Sequence, residues 1–337
     1  MPFRIPKLGG VREVAAGNGF SLVLTEAGVV QAMGKCKDGR NGLPQDTAVP
    51  RPVTNLTNIR SVACGYWHSI AIDAEGRLFA TGHNKHGELG LGDTQDRPAF
   101  TLVQGVPGTE KAFCGQHTTM LILANSHLPL TAGKAGVSGL RRDSAVFAEL
   151  SLGEAVVSLA CGTVHSAAAT VSGKLFTWGL GSFGQLGHGS KASSDLPQEV
   201  EALRGVQITQ VSCSRGEKYG HSLCRDSERN VYAWGSGYKG KLGLDEHWSH
   251  EDPADRLVPT LIQGFKADYV ECGGIHSVAV GDGQLYTWGC GSDGRLGHPE
   301  CEGHRYLYKE PLPRAVALPA AVTSVSCSYY HNILVAH

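Results

Sequence analysis

The chain has 337 residues, 41% of them hydrophobic, and a formal net charge of −1. That is ample apolar material for a core, and the near-zero charge, with no dense Lys/Arg run at either end, argues against direct nucleic-acid binding. MPFRIPKLGG opens without an apolar secretory segment, and no run of 18 apolar residues occurs, so no membrane span is expected.

Glycine, at 45 residues, is roughly twice its usual share without a collagen-like period, which signals tight turns between short strands. In chain order, MPFRIPKL at 1–8 has the proline-led apolar character of a last strand. VAAGNGFS from Val14 then begins a first, degenerate unit. Six clearer copies follow: VACGYWHS from Val62, AFCGQHTT from Ala112, LACGTVHS from Leu159, VSCSRGEKYGHS from Val211, VECGGIHS from Val270 and VSCSYYHN from Val325. Their cysteines, Cys64, Cys114, Cys161, Cys213, Cys272 and Cys327, recur every 47–59 residues. Cysteines at one position of separate repeats read as small buried hydrophobes rather than as bridges, and a reducing compartment is expected. A second marker is a glycine-led strand ending in Trp-Gly, as in GKLFTWG, NVYAWG and GQLYTWG, weaker in GRLFATG, GVVQAMG and HLPLTAG. A third is G-x-L-G at Gly87–Gly90, Gly184–Gly187, Gly240–Gly243 and Gly294–Gly297. A proline-led run closes each unit, as in RPVTNL, RPAFTL, LPQEVEAL, VPTLIQGF and LPRAVAL.

Each unit reads as four short strands with apolar–polar alternation. One such sheet cannot bury both faces alone, and radial stacking solves this, so a period near 50 predicts a β-propeller blade. Residues 1–337 form one expected domain, with units starting near 11, 59, 109, 156, 208, 267 and 322. The expected fold is all-β: a seven-bladed β-propeller closed by pairing of the N-terminal strand, residues 1–8, with the C-terminal blade. That last blade has three strands, or a fourth lies beyond residue 337.

The V-x-C-G-x-x-H-S, G-x-L-Y-x-W-G and G-x-L-G markers resemble those of the RCC1 (regulator of chromosome condensation) repeat family over residues 2–337. The resemblance implies an RCC1-type propeller inside the cell, cytoplasmic or nuclear. It implies a protein-interaction platform with a protein partner, a small GTPase among the candidates, or the recognition module of a larger protein. The alternatives are a guanine nucleotide exchange factor for a Ran-type GTPase and a chromatin-binding adaptor. The family's namesake has an acidic residue before one motif histidine, a β-wedge and a basic tail. Here Trp67, Val164, Gly220, Ile275 and Tyr330 precede the motif histidines, and 109–154 holds no wedge-length insertion. The family's ultraviolet-B receptor uses clustered Trp and Arg; only Trp67 stands in that region here. A monomer is expected.

His68, His165, His221, His276 and His331 recur in one place, whereas a catalytic residue is needed once. They read as partly buried imidazoles bonded to neighbouring backbone, and Ser69, Ser166, Ser222 and Ser277 read likewise. No triad, phosphate loop or dinucleotide fingerprint is present, so no catalytic residue and no cofactor are assigned. Departures from the repeat point to function instead: the insertion Arg215-Gly-Glu-Lys-Tyr219 in unit five, and polar loops at 245–256 and 298–310. Trp248, His250, Arg256, Arg305, Tyr306 and Tyr308 in these loops are the candidate partner-binding residues, as aromatics with a polar surround. Cys301 and His304, near His247 and His298, have ligand spacing, but a lone pair does not make a metal site, and none is assigned.

Overall fold

The computed structural model describes residues 5, 8–216, 218–244, 252–299 and 308–337. Antiparallel four-stranded sheets span 11–52, 59–102, 109–149, 156–199, 208–266 and 269–315, each in up-and-down order. The second strand is buried throughout in four blades, as in His68–Asp73, His165–Thr170 and His276–Gly281, and at all but one residue in blades three and five. Its sequences (HSIAID, HSAAAT, HSVAVG) are runs of small or branched residues, as suits a strand covered on both faces. The fourth strands are largely half-buried to exposed, and all but that of blade three carry a proline, as in Thr47–Pro52, where a sheet edge tolerates the missing N–H. Apolar side chains of adjacent blades mesh between them; Ala167, Leu175 and Val200 meet Val211, Cys213 and Trp234 at the seam of blades four and five.

The expected seven-bladed propeller is corrected to six blades and a smaller element. After Ala315 the chain forms only a two-stranded sheet, Val322–Cys327 with Asn332–Ala336, because this stretch holds a single hairpin turn. It lies between the sixth and first blades. Ala16 N donates to Ser326 Oγ at 3.1 Å, and Cys327 N donates to the Glu271 carboxylate at 3.1 Å. Of the closing strand expected from residues 1–8, only Ile5 and Leu8 are among the described residues, and they pack against Ile333 and Val335. Residues 1–4, 6 and 7 lie outside the described residues.

Two devices lock consecutive sheets. The glycine after the motif cysteine brings backbones together around the channel mouth. Tyr66 N donates to Gly115 O, Gln116 N to Gly162 O, Thr163 N to Ser214 O and Arg215 N to Gly273 O, at 2.9–3.3 Å. A Cβ on Gly162 would lie 2.6 Å from Ser214 O, so only glycine permits this approach.

The motif histidines supply the second device, and here too an expectation is corrected. His68, His165, His221 and His276 are fully buried, and each bonds the next sheet's side chain rather than its own backbone. Their Nε2 atoms meet Thr119 Oγ1, Ser222 Oγ, Ser277 Oγ and Asn332 Oδ1 at 2.7–2.9 Å. Those same hydroxyls donate to a backbone carbonyl of the preceding blade; Ser222 Oγ reaches Gln185 O at 2.8 Å. A hydroxyl has one proton, so the imidazole must donate through Nε2–H. The bare Nδ1 atoms have no hydrogen-bond partner among the described residues. Burial accordingly pushes these histidines down, to about 4 for His68 and His276 and about 3 for His165. They are neutral rivets. The repeat cysteines are buried free thiols, and burial raises Cys64 to about 12.

Candidate functional site

The pairing His221↔Gly235↔Arg256 sets the first turn of blade five and the connection before its fourth strand at the same end of the sheet. Every blade repeats this arrangement, so these turns form one circular face. Tyr66, Trp67, Phe183, Tyr219, Tyr238, Tyr329 and Tyr330 all lie on it, half-buried or exposed. The turns at the opposite ends, such as 26–29, 74–77, 171–174 and 227–229, hold no aromatic residue.

The unit-five insertion has two roles on this face. Arg215 crosses the channel mouth: its Nη1 donates to Ala16 O and to Cys64 O at 2.9 Å, and its Nη2 is 3.8 Å from the Glu271 carboxylate. It caps a central cavity of about 680 Å³ lined by Glu13, Lys111, Arg225 and Glu271. Tyr219 stacks on Tyr238, centroids 4.3 Å apart and 13° from parallel, and abuts Phe183 at 5.3 Å. Glu217 lies outside the described residues.

The G-x-L-G turn is more than a turn. Its second residue presents a carbonyl that the next sheet always holds: Ser69 donates to Arg40 O, Thr119 to Glu88 O, Ser166 to Val137 O, Ser222 to Gln185 O, Ser277 to Lys241 O and Asn332 to Arg295 O, at 2.6–2.8 Å. The backbone is fixed while the side chain varies: arginine in blades one and six, and Glu88, Val137, Gln185 and Lys241 in the others. Arg40-Asn41 and Val137-Ser138, between Gly39 and Gly42 and between Gly136 and Gly139, occupy the same place without the leucine that marks the others.

Two of these side chains are charged and completely buried. Glu88 Oε1 is 2.7 Å from His83 Nδ1 and 3.5 Å from His117 Nδ1, while Oε2 accepts from His86 N at 2.8 Å. Burial raises the carboxyl pKa, but the hydrogen bonds from His117 and His83 outweigh it and hold Glu88 well below the usual range. His83 is raised, chiefly by its bond to Glu88. The Trp67 ring lies against both imidazoles, at 5.5 and 5.1 Å. Lys241 is the counterpart. Its Nζ has no hydrogen-bond partner among the described residues and lies 5.6 and 5.5 Å from the centroids of Tyr219 and Tyr238. Desolvation brings it down to about 7.

Of the candidate residues from sequence, Trp248, His250, Arg305 and Tyr306 lie outside the described residues, as do His247, Cys301 and His304. Arg256 opens the fourth strand of blade five, half-buried. Tyr308 enters the fourth strand of blade six at the same end; its hydroxyl donates to Glu310 at 3.2 Å and accepts from Arg314 at 2.9 Å. His298 is 3.0 Å from Thr287 inside blade six, a structural bond. The residues that sequence reasoning missed are Glu88, His83, His117 and Lys241. The signal was there. His83, His86 and Glu88 crowd GHNKHGELG, and His117 stands one place before Thr118, which takes the motif-histidine slot opposite Gly133.

The regulator of chromosome condensation (RCC1) repeat model matches residues 28–72, 75–122, 172–217, 230–280 and 282–335, and a second RCC1 repeat model matches 59–88 and 156–185. The chain belongs to the RCC1 repeat family. It is similar to the Arabidopsis thaliana ultraviolet-B receptor UVR8, 30% identical over 311 residues, covering 88% of this chain and 69% of the receptor. It is also 37% identical over 207 residues to the probable human E3 ubiquitin-protein ligase HERC3, covering 58% of this chain but 19% of the ligase. Human WBSCR16 shares the fold at a TM-score of 0.85 and 22% identity, covering 99% of this RCC1-repeat chain and 88% of its own. Saccharomyces cerevisiae Prp20p, whose structure was described together with its binding to Gsp1p and histones, gives 0.82 and 20%, covering 96% and 82%. No helix among the described residues is long and apolar enough to cross a membrane.

Proposed function

We propose that this RCC1-type propeller is a protein-docking platform whose partner contacts the aromatic face. The carrying observation is the cluster of aromatic residues in the turns of that face, centred on the Tyr219–Tyr238 stack, against only Phe265 and Tyr269 near the opposite ends of the sheets. Aromatic side chains bring large contact area at low entropic cost and dominate interface energetics. Arg256 and Tyr308 enter their strands on the same face, and the loop residues Trp248, His250, Arg305 and Tyr306 belong to this reading as its sequence-derived extension. The recurring histidines His68, His165, His221 and His276 are committed to the seams, which leaves the face to its aromatic side chains.

The test is affinity capture with quantitative mass spectrometry, comparing wild type with Tyr219→Ala/Tyr238→Ala and with Glu75→Ala/Arg77→Ala on the opposite face. Partners enriched by wild type should fall at least about tenfold with the tyrosine pair alone, as truncating two hot-spot residues implies. Equal capture by all three proteins overturns the assignment. Release of fluorescent nucleotide from a Ran-type GTPase, run in parallel, separates plain docking from exchange: acceleration at micromolar protein favours the exchange factor.

A further inference from the structure

The geometry points to a binding site for a divalent transition cation, zinc foremost, between blades two and three, with His83, Glu88 and His117 as protein ligands. Among the described residues this is the only group of three such side chains whose donor atoms all lie within 4.8 Å of one another. Two imidazoles and one carboxylate are a recurrent donor set for zinc that keeps an open fourth position. Tetrahedral zinc with bonds near 2.1 Å places its donors roughly 3.4 Å apart. Here Glu88 Oε1 is already 2.7 and 3.5 Å from the two Nδ1 atoms, so small rotations of the half-buried rings complete the geometry.

The ligands come from three separately anchored segments. His83 N donates to Trp67 O at 3.0 Å, directly after the third strand of blade two. Glu88 is fixed by its carbonyl, which Thr119 holds at 2.7 Å, and by Oε2, which His86 N holds at 2.8 Å, so Oε1 is the atom left for the rings. His117 is on the first turn of blade three, and His86 packs edge-on against it at 4.7 Å while bonded to Asp143 at 2.9 Å. Trp67 covers one side of the pair. The His83 and His117 side chains remain 17% and 16% exposed, which leaves an approach from the aromatic face.

The experiment uses the full chain, stripped with EDTA and titrated with zinc chloride by calorimetry at pH 7.5, then with cobalt(II) for its spectrum. One equivalent should bind. His83→Gln/His117→Gln should lower its affinity at least about 100-fold, whereas Cys301→Ser/His304→Ala should leave it unchanged. The cobalt complex should show d–d bands without a thiolate charge-transfer band. Near-UV circular dichroism establishes that the double variant is folded. The site is refuted by absent uptake in wild type, by unchanged affinity in the folded histidine variant, or by a thiolate band, which places the metal on cysteine. The wild-type spectrum decides the matter even if the variant does not fold.

Discussion

The seam between blades two and three and the seam between blades five and six share one backbone and hold opposite charges. In both, a motif histidine (His68, His221) bonds the next blade's hydroxyl, and that hydroxyl holds the carbonyl of the variable residue. In both, the variable side chain is completely buried. Glu88 is surrounded by donors: two imidazoles and the His86 N–H. Lys241 has two tyrosine rings instead, whose faces attract a cation without a hydrogen bond. The repeat dictates the main chain and leaves the side chain free, so neighbouring turns have to compensate whatever charge appears there. Function can diverge at a seam without unfastening it.

What the seams share should fail first. The unfolded chain takes up protons on its histidines near pH 6.5, whereas folded His68, His165 and His276 do so only near 4, 3 and 4, and His221 well below its usual value. Their contribution is therefore full above pH 6.5 and lost as pH falls, by about 3 kcal/mol at pH 4 for each of His68, His165 and His276, with His221 acting in the same direction. Summed over these rivets this rivals the whole stability of an ordinary domain, so the ring should open between pH 6 and 4. Acid titration followed by tryptophan fluorescence checks this. His68→Asn and His221→Asn should each flatten the slope equally, since the two seams are equivalent in this respect. A ring that keeps its pH 7 stability at pH 4 contradicts the tautomer assignment.

Next in size is Glu88→Ala, measured by urea unfolding with EDTA present. It strands two imidazoles and a backbone N–H, and should cost about 3 kcal/mol at pH 5.5. Glu88 is held low, so its stabilisation is present above the unfolded carboxyl pKa near 4.3. His83 is held high, so its share is present below about 6.5 and lost as pH rises through its folded value. The wild-type advantage should therefore peak between these limits and shrink by pH 8. Growth of that advantage from pH 6 to 8 would count against the pair.

The contrast between the seams also explains what was legible in the sequence. The strands were, because V-x-C-G demands glycine where blades touch and x-W-G demands it where strands of one blade close up: at Gly179, φ is +104° and a Cβ would lie 2.6 Å from Val164 O of the same blade. The blade count was not, since VTSVSCSYYHNILVAH reads as the opening of a seventh unit, yet among the described residues it forms only the two-stranded sheet Val322–Cys327 with Asn332–Ala336. Conspicuous loops drew attention to Trp248, Tyr306 and their neighbours. The buried charges escaped notice because Glu88 and Lys241 sit inside a repeat marker that reads as a turn. Some of their partners come from other turns: His117, in the next blade, is 29 residues from Glu88. Only the packing of adjacent blades makes these two neighbours.

The smallest predicted change has the opposite sign to Glu88→Ala. Lys241→Gln puts at seam five–six the residue that blade four already uses, Gln185, whose Oε1 accepts from Phe183 N at 2.8 Å. Lys241 titrates near 7 when folded and near 10.4 when unfolded. Its burial penalty is thus complete below pH 7, has largely faded by pH 10 and is gone above about 10.4, where both states are neutral. Part of that penalty is recovered from the tyrosine faces and from packing of the lysine stem, both lost in the variant. The net gain for Lys241→Gln should be about 1–2 kcal/mol at pH 6.5 and close to zero at pH 10. Urea midpoints at the two pH values separate the terms. A gain that does not change with pH means that Lys241 keeps one protonation state throughout, and that Asp252 and Asp255, the carboxylates that raise its pKa, hold it as a cation. In that case the two seams would differ only in the sign of an ion pair, and the tyrosine stack would be left as a contact surface with no part in carrying the charge beneath it.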